Sequence, residues 1–148
     1  MKVVIPTTAT AYGTDLVDES PDENSTNFIG CRDNRLIVGV SVAANKLPYG
    51  TVVDVFDRKN VFIGTFVVHD TGGSKVMKNG TNMDFFSGSD KAVYTYFASI
   101  EKIRVVLHKE PGPSVPITAD AKKMAAILAP FKKTRKIGDF LTKFPKYK

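Results

Sequence analysis

TVVDVFDRKNVFIGTFVVHD, residues 51–70, reads as a strand, a turn and a second strand. Val, Phe, Ile and Thr dominate both arms, and such side chains pack well on a pleated surface but lose rotamer freedom in a helix. Between Phe56 and Val61, the polar run Asp57-Arg58-Lys59-Asn60 has the composition of a hairpin turn. The second arm ends at Asp70, directly before Thr71-Gly72-Gly73.

Working outward, four more segments have the same character: Thr8 to Gly13, Leu36 to Ala43, Met83 to Phe86 and Lys102 to His108. Six short strands predict a mainly β fold closed as a small barrel, within a domain covering residues 7 to 109. One short helix interrupts them over Gly88 to Phe97. Ser89 is its expected cap, Asp90 suits the helix dipole, and Val93, Tyr96 and Phe97 share a face. Residues 15 to 23 carry five acids and no apolar alternation, which predicts an exposed loop.

The net charge of +6 is concentrated in one part of the chain. Residues 1–110 hold 12 Lys and Arg against 13 Asp and Glu, whereas residues 111–148 hold 9 against 2. The chain therefore divides into a near-neutral barrel, 1–110, and a basic tail, 111–148, that opens with a Pro/Gly-rich break from Glu110 to Pro116. Within the tail, Thr118 is the expected cap of a helix running through Ala129. Met124, Ile127, Leu128 and Phe131 form an apolar stripe among lysines. Such a stripe asks for a protein partner. Charge without a recognised nucleic-acid motif makes nucleic acid the weaker reading.

Only three apolar residues precede Pro6, so the sequence predicts neither a signal peptide nor a membrane span. The lone Cys31 cannot form an intramolecular disulfide and sits in no nucleophile motif. Two histidines and one cysteine without ligand spacing predict no metal site, and no cofactor motif is present. His69, next to Asp70 on a strand, reads as a packed or surface histidine with its side chain on the opposite face.

From Leu47 to Phe86 the order of motifs becomes specific. Pro48-Tyr49-Gly50-Thr51 precedes a strand, Asp70-Thr71-Gly72-Gly73 follows the next, and Met83-Asp84-Phe85-Phe86 brings a second acid, with Thr8 to Tyr12 upstream. This set resembles the three-aspartate domain of muralytic enzymes and the related domain of membrane-bound lytic transglycosylase A. There a Pro-Leu-Gly-Thr turn, an Asp-Thr-Gly-Gly-Ala-Ile-Lys-Gly loop and an Ile-Asp-Leu-Tyr strand occur in the same order. The resemblance covers about residues 8 to 108 and implies a double-psi β-barrel acting on the glycan strand of peptidoglycan. Two departures stand beside it: the family's first aspartate is absent or replaced by Asn45, and the loop between Asp70 and Asp84 is longer, so Lys75 and Lys78 compete for the family's loop lysine.

The chemistry fits these residue types. Glycosidic cleavage needs an acid that protonates the leaving oxygen while positive charge develops on the sugar. Asp84, flanked by Met83, Phe85 and Phe86, is the expected general acid, because apolar neighbours and a nearby carboxylate both raise a carboxyl pKa. Asp70 is its expected ionised partner. Thr71, Gly72, Gly73, Lys75 and Lys78 are the expected substrate-binding loop, and Tyr12 and Tyr49 the expected sugar-stacking rings. The resemblance implies a 1,6-anhydro product, formed when the acid turns base and the sugar's own 6-hydroxyl attacks.

With no export segment expected, a phage virion or tail component that opens the wall is the reading of the setting. In that case the tail docks on a tail or baseplate protein; otherwise a partner delivers the protein to the periplasm or cell wall. The alternative is a barrel of expansin type that binds glycan, or caps a larger assembly, without cutting.

Overall fold

The computed structural model describes residues 4–18, 26–30, 35–44, 47, 50–70, 82–107 and 121–148. Six strands are present: β1 (Val4–Tyr12), β2 (Ser41–Ala43), β3 (Val52–Asp57), β4 (Phe62–Asp70), β5 (Met83–Phe86) and β6 (Lys102–Leu107). They close on themselves in the order β1-β5-β2-β4-β3-β6, so the fold is mainly β. β1 runs parallel to β5 and β2 parallel to β4, while the other four pairings are antiparallel. Closure leaves no free sheet edge for another chain to pair with.

The hairpin forms as its composition dictates. Asp57 accepts hydrogen bonds through Oδ1 from the backbone N–H of Lys59 and of Val61, both at 2.9 Å, and Asn60 takes the left-handed conformation that asparagine tolerates. β4 is buried along nearly its whole length because it is covered on both sides. Phe66 and Val68 belong to the main core, while Val67 joins Val40 and Val52 in a second cluster against which Phe131 packs.

Helix α1 (Lys91–Ile100) starts later than the sequence reading placed it. Its cap is Asp90, which accepts from the N–H groups of Ala92 and Val93; Ser89 instead hydrogen-bonds Thr14. The helix ends at Glu101, whose φ of 64° and ψ of −65° lie in a strained region for a residue with a side chain. Glu101 is exposed and its carbonyl accepts from Ala9 N at 2.9 Å, so the tertiary structure holds it there. Glu101→Gly is expected to stabilise the protein by about 0.5–1 kcal/mol, read as a raised denaturant midpoint, because relief of strain exceeds the entropy glycine adds to the unfolded chain.

Two expectations change. Leu36 to Ala43 is a strand only from Ser41; residues 38–40 form a turn that places Gly39 at φ +80°. A Cβ at Gly39 would lie 2.6 Å from the Phe140 ring, so the turn leaves room for a side chain from far along the sequence. The basic segment also holds structure beyond the helix that the sequence predicts. Helix α2 (Ala121–Thr134) is followed by α3 (Asp139–Lys143) and a 3-10 turn (Pro145–Tyr147). Phe140 and Leu141 are buried in the main core, with Phe144 and Tyr147 packed against it. Phe140 stacks on Phe97 at 4.9 Å, and Phe97 on Phe85 at 4.6 Å. Hydrogen bonds from Tyr96 to Asp139 and from Tyr147 to Asp90 tie this segment to α1. Thr118 and the side chains of Met124, Ile127 and Leu128 lie outside what the structure describes. No described helix is long and apolar enough to cross a membrane.

Candidate active site

β2 is the short strand on which the site is built, because Ala43 has a partner on each side. On β5 its register partner is Asp84, and on β4 it is Asp70. Thr10 of β1 pairs with Asp84 in turn, so Thr10, Asp84, Ala43 and Asp70 form one row across four strands. With adjacent strands about 4.8 Å apart, the two acids stand about 10 Å apart at Cα, near enough for their carboxyl groups to interact.

A register irregularity completes the row. From Val42 to Ala43, β2 advances one residue, while its partners on β4 advance two, from Val68 to Asp70. His69 is the extra residue, and this kink carries Asp70 opposite Ala43. His69 itself is fully buried, with Nδ1 2.9 Å from the Ser41 hydroxyl, which also accepts from Ile37 N. Burial lowers its pKa to about 4, so of the packed and surface histidines that the sequence allows it is the packed one.

Both acids are nearly buried, Asp70 at 9% and Asp84 at 7% exposure. Thr10 donates from Oγ1 to Asp84 Oδ1 at 3.0 Å, and Tyr12 donates from its hydroxyl to Asp70 Oδ2 at 2.9 Å. Tyr12 thus spans from β1 to β4, with its ring edge against Phe86 at 5.4 Å. Burial raises the Asp84 pKa to about 7; the Thr10 hydrogen bond opposes this, and the charges of Asp18 and Asp70 reinforce it. A carboxyl poised there holds a proton at neutral pH and can also give it up.

The structure therefore brings together Asp70, Asp84 and Tyr12 among the residues singled out from sequence. Tyr49, Thr71, Gly72, Gly73, Lys75, Lys78, Asn45 and Cys31 lie outside the described residues. Among the described residues, no group of three His, Cys, Asp or Glu side chains is placed to hold a metal ion.

Two contributors escape the sequence reading. Thr10 had a signal, since Thr8, Thr10 and Tyr12 alternate along β1, but nothing local names its partner. Asp18 sits in the acidic stretch taken as a solvated loop. The turn leading to it is anchored: Thr14 N donates to Gly88 O, Asp18 N donates to Thr14 O, and Val17 is buried.

No protein-family model and no curated protein matches the chain. Four solved chains match it. Among them, the crystal structure of MltA from Escherichia coli, described as a unique lytic transglycosylase fold, is 22% identical over 56% of this chain at a TM-score of 0.36. The present chain spans 28% of that structure.

Proposed function

We propose that this protein cleaves the glycan strand of peptidoglycan as a lytic transglycosylase, on a barrel of the double-psi kind. The observation that carries the reading is Asp84, a carboxyl held near pKa 7 by burial, with a single strand between it and a second carboxylate. Protonated Asp84 donates to the leaving glycosidic oxygen, and Asp70, oriented by Tyr12, supplies negative charge to the developing oxocarbenium ion. As base, Asp84 then takes the proton of the sugar 6-hydroxyl while that oxygen closes the anhydro ring. No water enters the products. The paired parallel strands, β1 with β5 and β2 with β4, support the double-psi topology. The ordered motifs from Pro48 to Phe86 support the substrate class, and a phage virion or tail is the setting we propose.

Digestion of purified peptidoglycan tests the reading. Soluble muropeptides ending in 1,6-anhydro sugars are the expected products; reducing ends would indicate hydrolysis by water instead, and no soluble product would end the enzymatic proposal. One observation favours a second reading, a glycan-binding barrel without chemistry: Asp84 is only 7% exposed. Binding to insoluble peptidoglycan with nothing released would favour it.

A further inference from the structure

Beside the acid row, a cleft of about 440 Å³ opens between α2 and the residues that precede β2. Its floor is apolar, made by Phe28, Leu36 and Tyr147, and its rim is cationic, made by Arg35, Lys132 and Lys146. None of the described residues that line it is acidic. Where α2 crosses the cleft it presents Ala125 and Ala129, side chains too short to fill the gap.

We infer that this cleft binds a short acidic peptide, of the kind that branches from the wall glycan, and so positions the strand over the acid row. The inference rests on the glycan-cutting reading and deepens it by assigning the second part of the substrate. Phe28, which lines the cleft, packs on the aromatic side chains behind the acid row. Its ring lies 5.0 Å from Phe86, which in turn touches Tyr12, the residue bonded to Asp70. Gly30, two residues further on, lies between the cleft and the acid row: a Cβ there would stand 3.1 Å from Leu36, which lines the cleft, and 3.4 Å from the Asp70 carboxyl carbon.

The cations differ in how free they are. Lys146 is paired with Asp90 at 2.9 Å, so part of its charge is already used. Arg35 donates to the Asn27 carbonyl at 3.2 Å and lies over the Phe28 ring, an arrangement that aims its planar head without neutralising it. Lys132 has no acidic partner among the described residues, nor has the neighbouring Arg135, whose buried Nη1 makes no hydrogen bond. Burial, and then Arg135, hold the Lys132 pKa below the ordinary lysine value, a penalty that a bound carboxylate would offset. An apolar floor suits the methyl and methylene groups of a small peptide, while two unneutralised cations suit its carboxylates. Polyanions with no apolar part would use only the rim.

Titration of the full chain with the N-acetylated tetrapeptide Ala-γ-Glu-Lys-Ala, whose blocked N-terminus leaves two carboxylates against one ammonium, followed by calorimetry or NMR, tests this without requiring catalysis. Expected are saturable binding in the millimolar range or tighter, weakened by added salt, and a loss of about tenfold in affinity for either Arg35→Gln or Lys132→Gln with unchanged melting temperature. Equal binding of the same peptide with its carboxylates amidated would overturn the proposal, as would unaltered binding by both variants. Equal binding of inorganic phosphate would overturn it too, by reducing the cleft to an unselective basic patch. Peptide binding without glycan cleavage would leave the cleft standing and sink the enzymatic reading, whereas cleavage without peptide binding would do the reverse.

Discussion

Asp84→Asn is expected to lower release of anhydro-muropeptides by about 10²–10⁴-fold, the usual worth of a positioned general acid, while making the folded protein more stable at neutral pH. The opposite signs come from one cause. Burial raises the pKa of Asp84 from 3.8 to about 7, so the folded state keeps a proton that the unfolded chain gives up. Stability from this group is therefore complete below about pH 4, falls as pH rises, and is lost by about pH 7, after which it no longer changes. Three pH units correspond to a loss on the order of 4 kcal/mol across that window. Asparagine has no proton to lose, and its amide retains an oxygen for the Thr10 hydroxyl. Denaturant midpoints measured at pH 4 and pH 8 should thus converge for the variant relative to the wild type. A wild-type activity profile that declines above about pH 7 belongs to the same group. Full cleavage by the variant would remove Asp84 from the mechanism, and an unchanged pH dependence of stability would show that its carboxyl is solvated.

How far the sequence led depended on whether each signal was local. The β3–β4 hairpin was legible because Asp57 and Asn60 carry their turn chemistry with them, and β-branched runs mark the arms. The two acids were legible as a pair through ordered motifs, but their meeting across Ala43 was not. It depends on β2 lying between β4 and β5, a long-range pairing, and on the extra residue His69 in β4. Residues 36–40 look like strand because Ile and Val fill them, yet Gly39 bends the chain to make way for Phe140. The Asp90 cap was misplaced by one residue because both Ser89 and Asp90 can cap, and Ser89 is taken by Thr14. For the last eleven residues, the lysines drew attention from the apolar set Phe140, Leu141, Phe144 and Tyr147, whose spacing suits one helical face.

Phe140→Ala is expected to cost about 3–5 kcal/mol, the range for removing a buried phenylalanine, and to lower the melting temperature by about 10–15 °C for a domain of this size. Its ring is 1% exposed and sits in a column of aromatic faces: Phe85 on Phe97, Phe97 on Phe140. Removing the ring opens a cavity with rigid walls, because Gly39 below it is backbone and Phe97 above it is clamped by Phe66 and Phe85. The walls cannot collapse cheaply, so the loss belongs toward the upper end of the range. Neighbouring Gly138 shows how closely the segment is laid down: a Cβ there would stand 2.4 Å from the Ile63 carbonyl oxygen on β4. Deleting residues 138–148 would strip the same column and both tyrosine–aspartate bonds, so the truncated chain is expected to aggregate or melt below the temperature of Phe140→Ala. An unfolding free energy for Phe140→Ala within about 0.5 kcal/mol of the wild type would mean that α3 docks without contributing to the fold.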